Sequence, residues 1–552
     1  MTGRIPLVTE LRRETRKHEE EAVAPMKRLL FAAVLFGFGA MATVPAAVPE
    51  PVTIDAGLLS GTAGTASTVR VFKGVPFAAP PVGDFRWKAP QPVATWDGVR
   101  KADTFGDVCV QPKGVGRLNV SVDLPDSPKT SEDCLYLNVW TAAASASERR
   151  PVMVWIFGGA YTEGAGSSPH NHGDDLAQKG VVFVSFNYRL GPFGFYSHPE
   201  LTKESGRNAS GNQALMDAIA ALRWVQTNIA AFGGDPRNVT IFGESAGSSM
   251  SAGLVGSPEA TGLFQHAVSE SGAFMGLSMS PMRTRAQAEV PSAGRRGGPA
   301  PPLLPLAELR AKPTEEISKM LFGAGMIADG WIIPEDLSIT FAQGRQNAVD
   351  VLAGSNKDEG SFIAQGPTAA EWEIGVRGRW GDMADDYLKL YPAGSNAEAA
   401  ASSILQFRDE MAWHMRLYAD RQTKLGKRAY WYFFTHEPPH APGVRDLKST
   451  HTAEIPYVFN NLAAPRVFPD ASSPALAMAS ARERALATLV SSYWVNFAKN
   501  GNPNGRGLPE WPAFKDVASS RPMIIGDIKE TPDSARLDIY DRLYARQLAA
   551  AK

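Results

Sequence analysis

A serine at the apex of a strand-to-helix turn is the first residue in this chain whose setting suggests chemistry. Val239-Thr-Ile-Phe-Gly-Glu-Ser-Ala-Gly-Ser249 is a β-branched run that ends in G-x-S-x-G around Ser245. Val239 to Phe242 reads as a short buried strand, and the small residues from Ala246 onward can open a helix, which puts Ser245 on the turn between them. A chain that passes from strand to helix within one residue forces that residue to positive φ, and Gly243 and Gly247 leave room for the two elements to approach. The hydroxyl is lifted clear of the sheet, yet it attacks only when a base takes its proton, so a histidine and a group to orient it must follow. Val349 to Ala353 reads as a strand running into Gly-Ser-Asn-Lys-Asp-Glu-Gly360, which leaves Asp358 and Glu359 as two candidate acids on one loop. An oxyanion needs donors, and Gly158-Gly159-Ala160 after an apolar run could aim backbone N–H groups at a ligand; a plain glycine-rich loop is the alternative.

The elements that would position these groups follow an alternating α/β pattern. Val152 to Phe157 and Val181 to Phe186 are continuous apolar runs of strand length, as expected of central strands covered on both faces. Asn212 to Ile229 carries Leu215, Ile219, Leu222 and Val225 at helical spacing, a packing face for the sheet. After Ser269-Glu-Ser-Gly272 the pattern lapses. Pro281 to Pro313 is rich in Pro, Gly, Arg and Ala and is expected to be a mobile lid or surface excursion, with periodicity returning near Leu337.

Two long segments extend the argument beyond single residues. Phe232-Gly-Gly-Asp-Pro-Arg-Asn-Val-Thr-Ile-Phe-Gly-Glu-Ser-Ala-Gly247 resembles the signature of the type-B carboxylesterase family, and Glu132-Asp-Cys-Leu-Tyr-Leu-Asn-Val-Trp140 resembles its second signature, with Ala142 where a Pro or other large residue is usual. The likeness runs from about Gly57 to about Trp511 and implies an α/β-hydrolase fold, a mostly parallel sheet flanked by helices with cap or lid insertions. In that fold the order is Ser, acid, His. Asn356-x-x-Glu359-Gly360 resembles the family's acid motif and favours Glu359, with Asp358 the competitor. Of the nine histidines, the one in Ser449-Thr-His451-Thr-Ala-Glu454-Ile-Pro-Tyr-Val-Phe459 matches the family's His loop. By the same resemblance the oxyanion donors are the amides of Gly159, Ala160 and Ala246, with Ala160 in place of a third glycine, and Arg86 pairs with Glu132 as scaffold. The implied activity is hydrolysis of small-molecule carboxylic esters through an acyl-enzyme, with no cofactor and no metal. A non-catalytic binding or adhesion protein on the same scaffold, and amidase or lipase action by the same groups, are the alternatives. In the cholinesterase branch of the family a Trp in the first disulfide loop holds a quaternary ammonium, a contact worth about 2 kcal/mol. Here Val110 to Asp133 holds no aromatic residue but does hold Lys113 and Arg117, so neutral esters of small to medium size are expected.

Composition excludes other classes. The chain has 552 residues, a formal charge of −1, 44% hydrophobic and 20% charged residues, which offers no basic footprint for nucleic acid. No linker divides it, so residues 47–552 are expected to form one catalytic domain. Residues 1–46 read as an extension followed, from about Met26, by a secretory signal: Lys27 and Arg28, then the apolar Leu29 to Ala42, too short to span a bilayer, then small residues for cleavage. Secretion or periplasmic location without stable membrane insertion follows. The two cysteines, Cys109 and Cys134, are then expected to form a disulfide closing a loop of about 25 residues, worth roughly 3 kcal/mol, with two buried thiols the alternative. Sequons occur at Asn119, Asn208 and Asn238. His436-Glu437-Pro-Pro-His440 spells a zinc-peptidase motif, but Pro438 and Pro439 forbid the helical turn that would bring two histidines to one ion. His170-Asn-His172 has no evident third ligand.

Overall fold

Ten strands form the main sheet: β1 (Thr62–Ala63), β2 (Arg70–Pro76), β3 (Tyr136–Thr141), β4 (Arg150–Ile156), β5 (Val182–Phe186), β6 (Gly234–Glu244), β7 (His266–Glu270), β8 (Asp350–Asn356), β9 (Ala429–Phe434) and β10 (Met523–Ile525). Their spatial order is β10-β9-β8-β7-β6-β4-β5-β3-β2-β1. The computed structural model describes residues 48–112, 129–276, 281–291, 300, 302–320, 325–440, 442–443, 445–464 and 479–551. The expectations for residues 1–46, Lys113, Arg117 and Asn119 lie outside the described residues. Those described fall in one compact unit.

Strands β4 to β10 run parallel, and β3 pairs antiparallel with both β5 and β2. All five residues of β5 are buried, which is why a sheet covered on both faces reads as an unbroken apolar run. Helices α1 (Gln213–Asn228), α2 (Ala246–Gly256), α3 (Leu306–Ala311), α4 (Thr314–Met320), α5 (Asn396–Lys424), α6 (Ala481–Asn500) and α7 (Ser534–Ala550) complete the layers relevant here. Among the described residues no helix is long and apolar enough to cross a membrane. The expected strands and the helix before the elbow are present within a few residues, though β6 and β8 extend further than their apolar runs.

Register brings the strand ends level. Gly243 of β6 lies opposite Ile156, Glu244 opposite Glu270, and Glu270 opposite Gly354. The loops leaving β4, β6, β7, β8 and β9 therefore emerge on one edge, where open α/β sheets bind ligands. Under that edge Trp155, Phe242 and Phe459 pack tilted or edge-on against one another, with centroids 4.8, 5.0 and 5.7 Å apart, and tie the segment after His451 to the two central strands.

Residues 281–291 and 302–305 have no buried side chain, as expected of a surface excursion, but the expectation for Pro281 to Pro313 needs correction at its C-terminal end. α3 and α4 are docked: Leu306, Leu309 and Ile317 are buried against Trp87, Phe193 and Leu201. Arg86 explains how. Its Nε and Nη2 donate to the two Glu132 oxygens at 2.7 and 2.6 Å, while Nη1 donates to the carbonyls of Leu309, Arg310 and Lys312 at 3.0, 3.2 and 2.8 Å. A fixed cation thus satisfies the orphan carbonyls at the end of α3 and holds the segment on the body of the protein. Next to Glu132, Cys109 and Cys134 are joined in a disulfide.

Candidate active site

Ser245 sits between β6 and α2 with φ 56° and ψ −122°, the strained turn expected of a residue shared by a strand and a helix. Such a conformation costs about 1–3 kcal/mol and persists only where its neighbours enforce it. Two glycines do so by absence of bulk. A Cβ on Gly247 would lie 1.9 Å from the Ile156 carbonyl oxygen, and one on Gly243 would lie 2.5 Å from the same atom. The Ser245 amide donates to the Glu270 carbonyl at 2.9 Å, which pins the turn to β7.

His451 lies across from it. Its Nδ1 donates to Glu359 Oε2 at 2.5 Å. Glu359 is fully buried, and its other oxygen accepts from the Asn356 amide at 2.8 Å and from Ser271 Oγ at 2.5 Å. Asp358 points elsewhere: it pairs with Lys357 at 2.7 Å and accepts from the Ser449 amide at 3.2 Å. The adjacent acids therefore divide the work, Asp358 bracing the His loop and Glu359 meeting the imidazole.

The other ring nitrogen has a partner that motif reading did not anticipate. Nε2 of His451 is 3.1 Å from Glu244 Oε1, on the residue just before Ser245. Among the described residues Ser245 Oγ makes no side-chain hydrogen bond. Burial disfavours the imidazolium, but Glu244 and Glu359 on either side override it and raise the His451 pKa to about 9. Burial also raises the Glu244 carboxyl well above its ordinary value. The two groups interact strongly enough to titrate as a pair. Glu454, buried beside Glu359, is pushed up to about 7 by burial and by that neighbour, and accepts from Asn356 Nδ2 at 2.5 Å.

Gly159 and Ala160 leave β4 at φ 109° and 52°. Ala160 thus occupies a left-handed conformation that glycine would adopt more easily. A Cβ on Gly159 would fall 2.0 Å from the Glu163 carbonyl oxygen, so glycine is required there. None of the Gly159, Ala160 and Ala246 amides has an acceptor among the turn, loop and cap bonds of the described residues. Of the three, Gly159 borders the same space as Ser245, a small cavity lined by Gly158, Gly159, Glu244, Ser245 and His451 among others.

Several residues outside the motifs complete the site. Phe362 and Phe407 flank the His451 ring at 5.9 and 5.8 Å; an apolar residue on the loop just past Glu359 was the available signal for the first. Trp331 and Trp413 do not line the cavity: Trp413 donates to Asp541 at 2.7 Å and Trp331 to Glu259 at 2.9 Å. His436 is taken by Glu483 at 3.0 Å, and His440 lies 3.6 Å from Asp446. Among the described residues no group of three or more His, Cys, Asp or Glu could hold a metal.

Comparison with known proteins agrees with this architecture. The profile of the carboxylesterase family matches residues 49–375 and 380–541. The fumonisin B1 esterase of Sphingopyxis macrogoltabida is 38% identical over 464 residues, covering 82% of this chain and 83% of that protein. The para-nitrobenzyl esterase of Bacillus subtilis is 35% identical over 510 residues, covering 88% and 97%. A solved structure of a PNB esterase superposes with TM-score 0.73 at 32% identity, covering 89% of this chain and 99% of that one. With that coverage and a strained serine beside a His–Glu pair at the sheet edge, this chain belongs to the carboxylesterase family and is a serine hydrolase of carboxylic esters.

Proposed function

We propose that Ser245 is the nucleophile, His451 the general base and acid, and Glu359 the group that fixes the imidazole. The observation that carries this reading is the 2.5 Å bond from His451 Nδ1 to the fully buried Glu359, opposite a serine held at positive φ. A turn of the ring about that bond carries Nε2 from Glu244 to the neighbouring Ser245. Ser245 Oγ then adds to the ester carbonyl as Nε2 takes its proton. The oxyanion meets the amides of Gly159, Ala160 and Ala246, dipoles already oriented toward the charge that develops. Nε2 returns the proton to the departing alkoxide, and water repeats the cycle on the acyl-enzyme.

Neutral esters of small to medium size are the proposed substrates, since the sequence of the disulfide loop supplies no aromatic face for a cation and aromatic Phe362 and Phe407 cover the imidazole instead. Export through the segment from about Met26, leaving a protein of residues 47–552, is supported by the Cys109–Cys134 disulfide, since such bonds persist in oxidising compartments. The test of the reaction is a chain-length panel of nitrophenyl esters with wild type and Ser245→Ala. Turnover confined to wild type is expected; equal turnover by both would overturn the assignment.

A further inference from the structure

The cavity beside Ser245 has a polar end that the reaction does not use. Ser168, His170 and Thr452 line it, only 5%, 8% and 7% exposed. The Ser168 and Thr452 hydroxyls and both ring nitrogens of His170 have no hydrogen-bond partner among the described residues. The neighbouring His172 behaves differently: its Nε2 reaches the Ser167 carbonyl at 3.1 Å and its ring packs on Phe105 and Trp140. The three side chains border one small cavity, so a polar group that enters it can bond them without displacing a bond within the protein.

The reaction says which part of a substrate arrives there. His451 Nε2 must hand its proton to the departing alcohol oxygen, and His451 and Ser245 both line this cavity. The alcohol portion of the ester therefore extends into it. Burial holds the His170 pKa down at about 4, leaving a neutral imidazole with one donor and one acceptor nitrogen. The hydroxyls are likewise neutral, and the Glu244 carboxyl is engaged by His451. No fixed charge is free to meet an ionic group.

We infer that Ser168 and His170 form a specificity subsite for an uncharged hydroxyl on the alcohol portion of the ester, so that hydroxylated alcohols are released in preference to plain alkyl ones. This rests on the proposed Ser245–His451 reaction. A site equipped to bond a hydroxyl discriminates against the analogue lacking it because its own polar groups are then left unpaired. One net hydrogen bond gives up to about tenfold, and two approach a hundredfold.

The experiment uses esters of one acid with 2-hydroxyethyl, 3-hydroxypropyl and 4-hydroxybutyl alcohols, each matched to the alkyl ester in which a methyl replaces the hydroxyl. The ratio of kcat/KM within each pair is expected to reach about tenfold or more at one chain length, and to fall toward one in His170→Leu and in Ser168→Ala. Ser168→Ala removes a single oxygen and keeps the result readable if the histidine variant folds poorly. A ratio near one at every length in wild type, or a ratio unchanged in both variants, overturns the subsite. Ser245→Ala run on the same pairs separates the two readings: persistent turnover there defeats the reaction itself, whereas abolished turnover with a wild-type ratio of one defeats only the subsite.

Discussion

Replacing Glu244 by Gln should move the pH dependence of hydrolysis, and the direction follows from the geometry. His451 lies between two carboxylates, Glu359 at 2.5 Å and Glu244 at 3.1 Å, in a buried site. These raise its pKa from the ordinary 6.5 to about 9 against the opposing effect of burial. Only neutral His451 can accept the serine proton, so a raised pKa means activity is half-maximal near 9, full well above it, and lost as pH falls through that value. An isolated imidazole would instead place the limb near 6.5. An ion pair at about 4 Å with an effective dielectric of 20 is worth about 4 kcal/mol, or about three pH units. Burial works against the charge on Glu244, so removing that charge should lower the midpoint by less than this, about one to two units. The assay is kcat/KM for a neutral ester across the pH range in wild type and Glu244→Gln, since that parameter reports the free enzyme. A midpoint that stays put or rises in the variant would refute the claim that Glu244 holds the imidazolium.

Other expectations divide the roles of neighbouring groups. Glu359→Gln should lower kcat by about 10⁴ through loss of the correct tautomer, whereas Asp358→Asn, bonded to Lys357 and Ser449, should cost little; single-turnover rates on both variants check this, and exchanged results would reverse the assignment. Gly247→Ala should lose about 3 kcal/mol or more, because the new Cβ meets the Ile156 carbonyl at 1.9 Å, and an unchanged melting temperature would contradict the packing of the elbow. A choline ester should be hydrolysed no better than its neutral isostere at low salt; a preference above about tenfold would mean that Phe362 or Phe407 supplies the cation face.

What could be read before the fold was known is what the chain encodes locally. The strained serine follows from Gly243, Gly247 and the run of Val239 to Phe242, and the choice of Glu359 and His451, which the structure brings into contact, follows from motifs a few residues long. Contacts made by non-local pairing were illegible. Ser271 reaches Glu359 because β7 and β8 are adjacent and in register, and Glu244 reaches His451 only through closure of the sheet edge. Spacing along the chain carries neither fact. The misreading of the end of Pro281 to Pro313 has a similar source: composition signalled a loose excursion throughout, but the buried Leu306 and Leu309 and the distant Arg86 that caps α3 make that helix part of the body. His170 has no role legible in the sequence, which shows its neighbour His172 and not the cavity it lines.

The covalent step is the most direct point of attack on the whole account. Protein quenched during turnover of a slowly deacylated nitrophenyl ester and measured by intact and peptide mass spectrometry should carry one acyl group, located on Ser245, with none on Ser245→Ala. An acyl group on another residue, or steady turnover with no acylated species and no burst of nitrophenol, would contradict an acyl-enzyme at the elbow.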